Sequence, residues 1–318
     1  MSFLIQQTLI YAVPLMIVAL AGVFAERSGI INLALEGIMI FGAFIGVLFV
    51  RQMQGVDTFI AAKAAGDWGT LQGLVLLAML VSAAMGALFS LLLSFASINL
   101  RADQTIGGTA LNLLATALAM VIAKGVNHSA SAKLDYSNRV FVYDFGPLTV
   151  NVFLFIGLAA LILSYIVLYK TRLGLRLRAC GEHPQAADSV GINVYKMRYI
   201  GVLISGVLGG IGGMAYIIPS VSSWNFEVGV SGAGFLALAV MIFGQWKPFR
   251  IFLAAVFFAL FKSLANIASS IPFLADLGWT QNMYNMIPFI ASMIILAFTS
   301  KKSRAPKAEG IPYDKSSR

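Results

Sequence analysis

The chain has 318 residues, of which 59% are apolar and only 11% charged, with a formal charge of +9. A water-soluble domain carries about 25% charged residues. One compact core cannot hide this much apolar surface, so lipid is its solvent. The basic residues collect at the ends of apolar runs, which is the footprint of membrane topology and not of nucleic-acid contact.

The opening run, Met1-Ser-Phe-Leu-Ile, lacks a basic flank and a small-residue cleavage site, so it reads as a retained span. A helix crosses the hydrocarbon with about 20 apolar residues. The chain offers nine such runs, at roughly 4–24, 30–50, 71–98, 104–123, 148–169, 199–218, 230–246, 250–271 and 281–299. The expected fold is therefore all-α, a polytopic transmembrane helical bundle of about nine spans. The seventh run is short and flanked by glycine, which predicts a broken or re-entrant helix.

With the N-terminus outside, the cytoplasmic segments hold sixteen Lys and Arg residues and the external ones five; Lys262, within a span, completes the 22. The positive-inside rule favours that orientation in the cell (inner) membrane, with the C-terminus cytoplasmic. Residues 1–300 read as the transmembrane domain and 301–318 as a polar, solvated tail. The loop 124–147 reads as a folded cap on the outer mouth. Trp68, Trp224, Trp246 and Trp279 fall near span ends, where an interfacial aromatic belt is expected.

Leu33-Ala-Leu-Glu-Gly-Ile-Met-Ile-Phe-Gly42 echoes Leu236-Ala-Leu-Ala-Val-Met-Ile-Phe-Gly244 with one gap. The words lie five spans apart, an odd offset that reverses orientation. They predict an inverted repeat of the kind that frames transport pathways, unless the echo is chance among apolar words. Gly206/Gly210 and Gly209/Gly213 are small-xxx-small pairs that let helices approach closely.

The loop 170–198 carries six basic residues against Glu182 and Asp188. Pro184 suits a first helical turn, where its missing N–H has no partner to lose. Gly191 suits the position just past a helix end. The spacing predicts a short helix over 184–190. So short a helix needs a surface to pack on. That surface is either the lipid headgroup layer or a cytoplasmic partner.

Leu175-Arg-Leu-Arg-Ala-Cys-Gly-Glu-His-Pro-Gln-Ala-Ala-Asp-Ser-Val-Gly-Ile-Asn193 resembles the coupling segment of ABC-importer permeases of the branched-chain amino acid, ribose and nucleoside group. Glu26-Arg-Ser-Gly-Ile-Ile-Asn-Leu-Ala-Leu-Glu-Gly-Ile-Met39 is similar to the first block of the nucleoside-type members. Ala102-Asp-Gln-Thr-Ile-Gly-Gly-Thr-Ala-Leu-Asn112 and Ser231-Gly-Ala-Gly-Phe-Leu-Ala-Leu-Ala-Val240 resemble further blocks.

The resemblance implies that 179–195 docks on a separate cytoplasmic ATP-binding subunit, with Glu182, Pro184, Ala186, Ala187, Asp188, Gly191 and Asn193 as coupling residues. It also implies a second, paralogous permease chain and an extracytoplasmic solute-binding protein or lipoprotein. ATP and Mg²⁺ belong on the partner ATPase, and the sequence has no G-x-x-x-x-G-K-[ST] phosphate loop. The solute implied is a nucleoside, with a simple sugar, riboflavin or a branched-chain amino acid as alternatives.

Polar side chains deep in a span usually face a cavity or a partner. Asn32 and Glu36, four apart on one expected helix face, together with Asn112, Lys262 and Asn266, are candidates for the solute pathway. Amides suit a polar, uncharged solute because they both donate and accept. The alternatives are interhelical bonding, a Glu36–Lys262 pair that closes the bundle, or a Lys262 that reaches outward along its own stem.

Two other functions touch parts of the sequence. Gly229-Val-Ser-Gly232 resembles the nucleophile word of an intramembrane serine protease. That chemistry needs a nearby base, and the two histidines, His128 and His183, fall in loops. Their separation also argues against a metal site. An ion-coupled secondary transporter would rest on Glu36 alone.

Overall fold

The computed structural model describes residues 2–137, 139–145, 148–268, 279–299 and 304–315. The helices are α1 (Ser2–Glu26), α2 (Leu35–Gln54), α3 (Asp57–Ala65), α4 (Trp68–Ser94), α5 (Gln104–Asn127), α6 (Val152–Lys170), α7 (Arg172–Glu182), α8 (Pro184–Ser189), α9 (Val194–Ile217), α10 (Ala233–Phe243), α11 (Pro248–Ile267) and α12 (Gln281–Thr299). Among the described residues, seven helices have the length and composition to cross a membrane: α1, α2, α4, α5, α6, α9 and α11. The count of nine is thus lower for spans of full length. The expected seventh run holds only the eleven-residue α10, about 16 Å long at 1.5 Å per residue. The expected ninth run is the nineteen-residue α12.

Helices α1, α2 and α9 form the centre, with α4 against α9. Glycine makes this possible. A Cβ on Gly210 would sit 2.2 Å from the Ser82 carbonyl oxygen of α4, and one on Gly213 would sit 2.2 Å from the Met39 carbonyl oxygen of α2. The Ser82 hydroxyl donates to the Gly210 carbonyl at 2.8 Å. The small-xxx-small pairs therefore act as packing faces. Outward, Leu80, Leu88, Leu113, Leu163 and Leu253 are exposed, as a lipid-facing surface requires.

One end carries a folded cap. Strand β1 (Lys133–Asp135) pairs antiparallel with β4 (Ser223–Asn225), and β2 (Val142–Phe145) with β3 (Leu148–Asn151). The Asn127 amide donates to the carbonyls of Ser131 and Lys133, both at 2.8 Å, and its oxygen accepts from Arg51 at 2.6 Å.

The opposite end gathers Arg27, Arg101, α7, α8 and the C-terminal segment. Residues 304–315 differ from the solvated tail read in the sequence. The Ala308 N–H donates to the Gly181 carbonyl at 2.8 Å, and the Gly310 N–H to the Gly29 carbonyl at 3.3 Å. Arg198 donates to the Ile311 carbonyl at 3.0 Å, and Arg101 pairs with Asp314 at 3.2 Å. Backbone bonds make this strap, and composition does not reveal them.

Two of the four tryptophans fit the belt: Trp68 and Trp279 are exposed. Trp246 does not. It is 3% exposed, and its indole N–H donates to the Glu26 carboxylate. Trp224 is half-buried in the cap and donates to the Gly229 carbonyl at 2.8 Å.

Candidate functional site

Among the described residues, two segments leave helical form within the bundle, and buried polar side chains complete both. The first is 27–34, between α1 and α2. Ser28 lies against Gly201, and Ile38 against Gly209. Eight residues of α9 separate those levels, about 12 Å. Between those levels the chain stays non-helical to Ala34 and enters α2 only at Leu35, so part of its backbone lies where water cannot satisfy it.

Side chains of α5 do so instead. Gln104 Oε1 accepts the Ile31 N–H at 2.7 Å. Asn112 accepts the Gly37 N–H at 2.7 Å and donates to the Leu33 carbonyl at 2.9 Å. Gly29, at φ +95°, makes the turn. The helical face expected for Asn32 and Glu36 is therefore absent, because Asn32 precedes α2. Its amide donates to the Ser205 hydroxyl at 2.8 Å, while its Oδ1 is buried without a partner.

The second break precedes α10. Gly229, Ser231 and Gly232 all have positive φ. The α10 N-terminus exposes backbone N–H groups that a helix cannot satisfy itself. Glu36 takes two of them: Oε1 accepts from Gly232 at 2.8 Å and Oε2 from Gly234 at 2.6 Å. The carboxylate also complements the positive end of the helix dipole. A Cβ on Gly234 would sit 2.5 Å from the Glu36 Cα, so only glycine allows this approach. The two echoed words thus have unlike settings: one opens the twenty-residue α2 and the other fills the eleven-residue α10.

Of the five pathway candidates, the structure joins Glu36 and Asn112 through successive residues of α2. It places Lys262 and Asn266 elsewhere, on α11. No Glu36–Lys262 ion pair exists among the described residues. Asn266 donates to the Tyr11 hydroxyl at 2.7 Å. Lys262 lines a narrow crevice with Tyr11, Tyr216, Ser231 and Phe289. The sequence reading missed Tyr11, Tyr216 and Phe289, since aromatic residues in spans carry no distinguishing spacing.

At the basic end, α7 and α8 project between α6 and α9. Helix α8 starts at Pro184, as expected, and Gly191 follows it at φ +83°. The Ile192 N–H donates to the Ala187 carbonyl at 3.1 Å, which closes the turn. The seven coupling candidates divide by setting. Pro184 and Ala187 are buried and hold α8 to its neighbours. Glu182 pairs with Arg27 at 3.4 Å, and Asn193 caps α9 by accepting the Lys196 N–H at 2.9 Å. Ala186, Gly191 and Asn193 are exposed, and Asp188 is half-buried. Gln185, Ser189 and Val190 join the exposed side; Val190, at 75% exposure, is an apolar tip that the sequence reading did not single out. Below α8, Cys180 is buried and burial pushes its thiol up to about 11.

Comparison with known proteins agrees with this architecture. The family model for the permease component of branched-chain amino acid transport systems matches residues 4–297. The guanosine ABC transporter permease protein NupQ of Bacillus subtilis is 40% identical, covering 100% of this chain and 98% of its own length. The nucleoside ABC transporter permease protein NupC of Lactococcus lactis is 39% identical over 99% and 98%. The nucleoside ABC transporter permease protein NupB of the same strain is 27% identical over 50% of this chain and 44% of its own. The chain is a transport subunit and not an enzyme, and it belongs to the family of branched-chain amino acid transport system permease components.

Proposed function

We propose that this chain is the membrane-spanning permease subunit of an ATP-driven nucleoside importer. The observation that carries the reading is full-length identity of 40% and 39% to permeases named for guanosine and for nucleosides. The exposed edge of α8 and the segment to Asn193 dock on a cytoplasmic ATP-binding subunit, which holds the ATP and Mg²⁺. Helix α7, the Arg27–Glu182 pair and the strap 304–315 tie that edge to the α1–α2 break. Closure of the ATPase therefore pulls on the pinned, non-helical segments inside the bundle. Such segments yield more readily than intact helices do.

The excess of sixteen Lys and Arg in the segments on the α8 side of the sequence topology, against five on the other, supports a cytoplasmic position for the α8 end and for the C-terminus. The cap of β1–β4 then faces outward, where a solute-binding protein delivers its cargo. A second permease chain completes the pathway. The occurrence of NupC and NupB in one strain supports a paralogue in that role.

The test is uptake of labelled guanosine by proteoliposomes holding this chain, its second permease and its ATPase, with ATP inside and binding protein outside. ATP-dependent accumulation is expected. Accumulation by the chain alone under an ion gradient would replace this reading with secondary transport.

A further inference from the structure

The Lys262 crevice has an unexplained polar group. Lys262 has no hydrogen-bond or ion-pair partner among the described residues. An ammonium within a span faces a cavity, a partner or the interface, and the half-buried Lys262, five residues before the end of α11, lines the crevice. It carries three donors and no acceptor. The walls beside it are aromatic: the Tyr11 and Tyr216 rings lie 6.2 Å apart at 54°, and Phe289 closes the crevice against Gly232. Asn266 fixes the Tyr11 hydroxyl from the same helix as Lys262. The neighbouring α10 N-terminus is already occupied by the Glu36 carboxylate, whose negative charge beside the crevice opposes an anionic ligand. Its chemistry suits a flat, uncharged ring system with acceptor atoms on its edge.

We infer that this crevice is the nucleobase subsite of the permease, with Lys262 donating to the acceptor edge of a purine and Tyr11 and Tyr216 supplying the stacking faces. The inference rests on the nucleoside reading above. Every nucleobase has a π-face that aromatic rings can stack on. A guanine edge presents adjacent O6 and N7 acceptors that one ammonium can serve. The crevice holds about 10 Å³ of free space, on the order of one water, so a base enters only where its walls part. Phe289 and the positive-φ segment around Ser231 are the parts that must part to admit the base.

Two measurements on the assembled importer test the subsite. In the first, Lys262→Met lowers guanosine uptake at least tenfold while ATPase activity and assembly persist, and Lys262→Arg retains more uptake than Lys262→Met. In the second, Ser231→Cys is titrated with a small methanethiosulfonate; Cys180, the single native thiol, is buried. Guanosine slows that modification several-fold, and it does so with Lys262 intact, so the result stands even where Lys262→Met fails to assemble. Unchanged uptake in Lys262→Met, or modification of Ser231→Cys indifferent to guanosine, overturns the subsite and leaves the importer reading intact. A wild-type importer that hydrolyses ATP but never accumulates guanosine removes both.

Discussion

The Glu36 carboxylate accepts the Gly234 N–H at 2.6 Å, joining α2 to the start of α10 across 198 positions of sequence. Its other oxygen holds Gly232. Each hydrogen bond to a charged group contributes about 1.5–3 kcal/mol, and a buried donor left alone costs about as much. Glu36→Ala is expected to destabilise the chain by about 3 kcal/mol or more, and Glu36→Gln by less. Thermal unfolding of the purified chain in detergent reads the effect. An unchanged midpoint in Glu36→Ala would show that the bond does not hold the break together.

Close approach of α4, α2 and α9 depends on absent side chains. A Cβ at Gly210 would meet the Ser82 carbonyl oxygen at 2.2 Å, whereas one at Gly107 would meet nothing within 4 Å. Overpacking a filled interior costs about 1–3 kcal/mol. Gly210→Ala is expected to lower thermal stability by that amount, and Gly107→Ala to leave it near wild type. Equal effects from the two would refute the packing role.

The strap has its own pH dependence. Glu309 lies beside Glu26 and Arg27, and burial pushes its carboxyl up to about 7. The docked strap holds the proton at pH values where a free tail has released it. Docking is therefore strongest below the ordinary carboxylate range. It weakens as pH rises from there through about 7 and then levels off. Glu309→Gln removes the slope. Protease cleavage at the exposed Lys307, referenced to the Glu309→Gln chain, should increase between pH 5.5 and 8 only in the wild type. A flat profile would contradict the placement of this carboxyl.

Local signals in the sequence foretold local features. Pro184 and Gly191 bound α8 because their backbone preferences act within one turn, and the Gly206/Gly210 spacing marks a helix face by period alone. The break at 27–34 escaped notice because Ile30, Ile31, Leu33 and Ala34 read as apolar helix. What stops the helix is satisfaction by Gln104 and Asn112, more than 70 residues away. Polarity and depth in the spans mark the pathway candidates. Asn32, Glu36 and Asn112 turned out to bond backbone or a neighbouring helix, a role that polarity cannot separate from solute contact. Tyr11 and Tyr216 gave no signal at all, since only the fold brings α1 and α9 together beside Lys262.

In the proposed importer, α8 is the link between ATP hydrolysis and the pinned segments. The direct measurement is guanosine taken up per ATP hydrolysed in proteoliposomes, with wild type compared to Ala186→Arg. Ala186 is exposed on α8, so the substitution leaves the chain's own packing intact. Uptake is expected to fall at least tenfold while the chain stays inserted and the ATPase subunit keeps its basal activity. Uptake and ATP use that match the wild type would contradict the account.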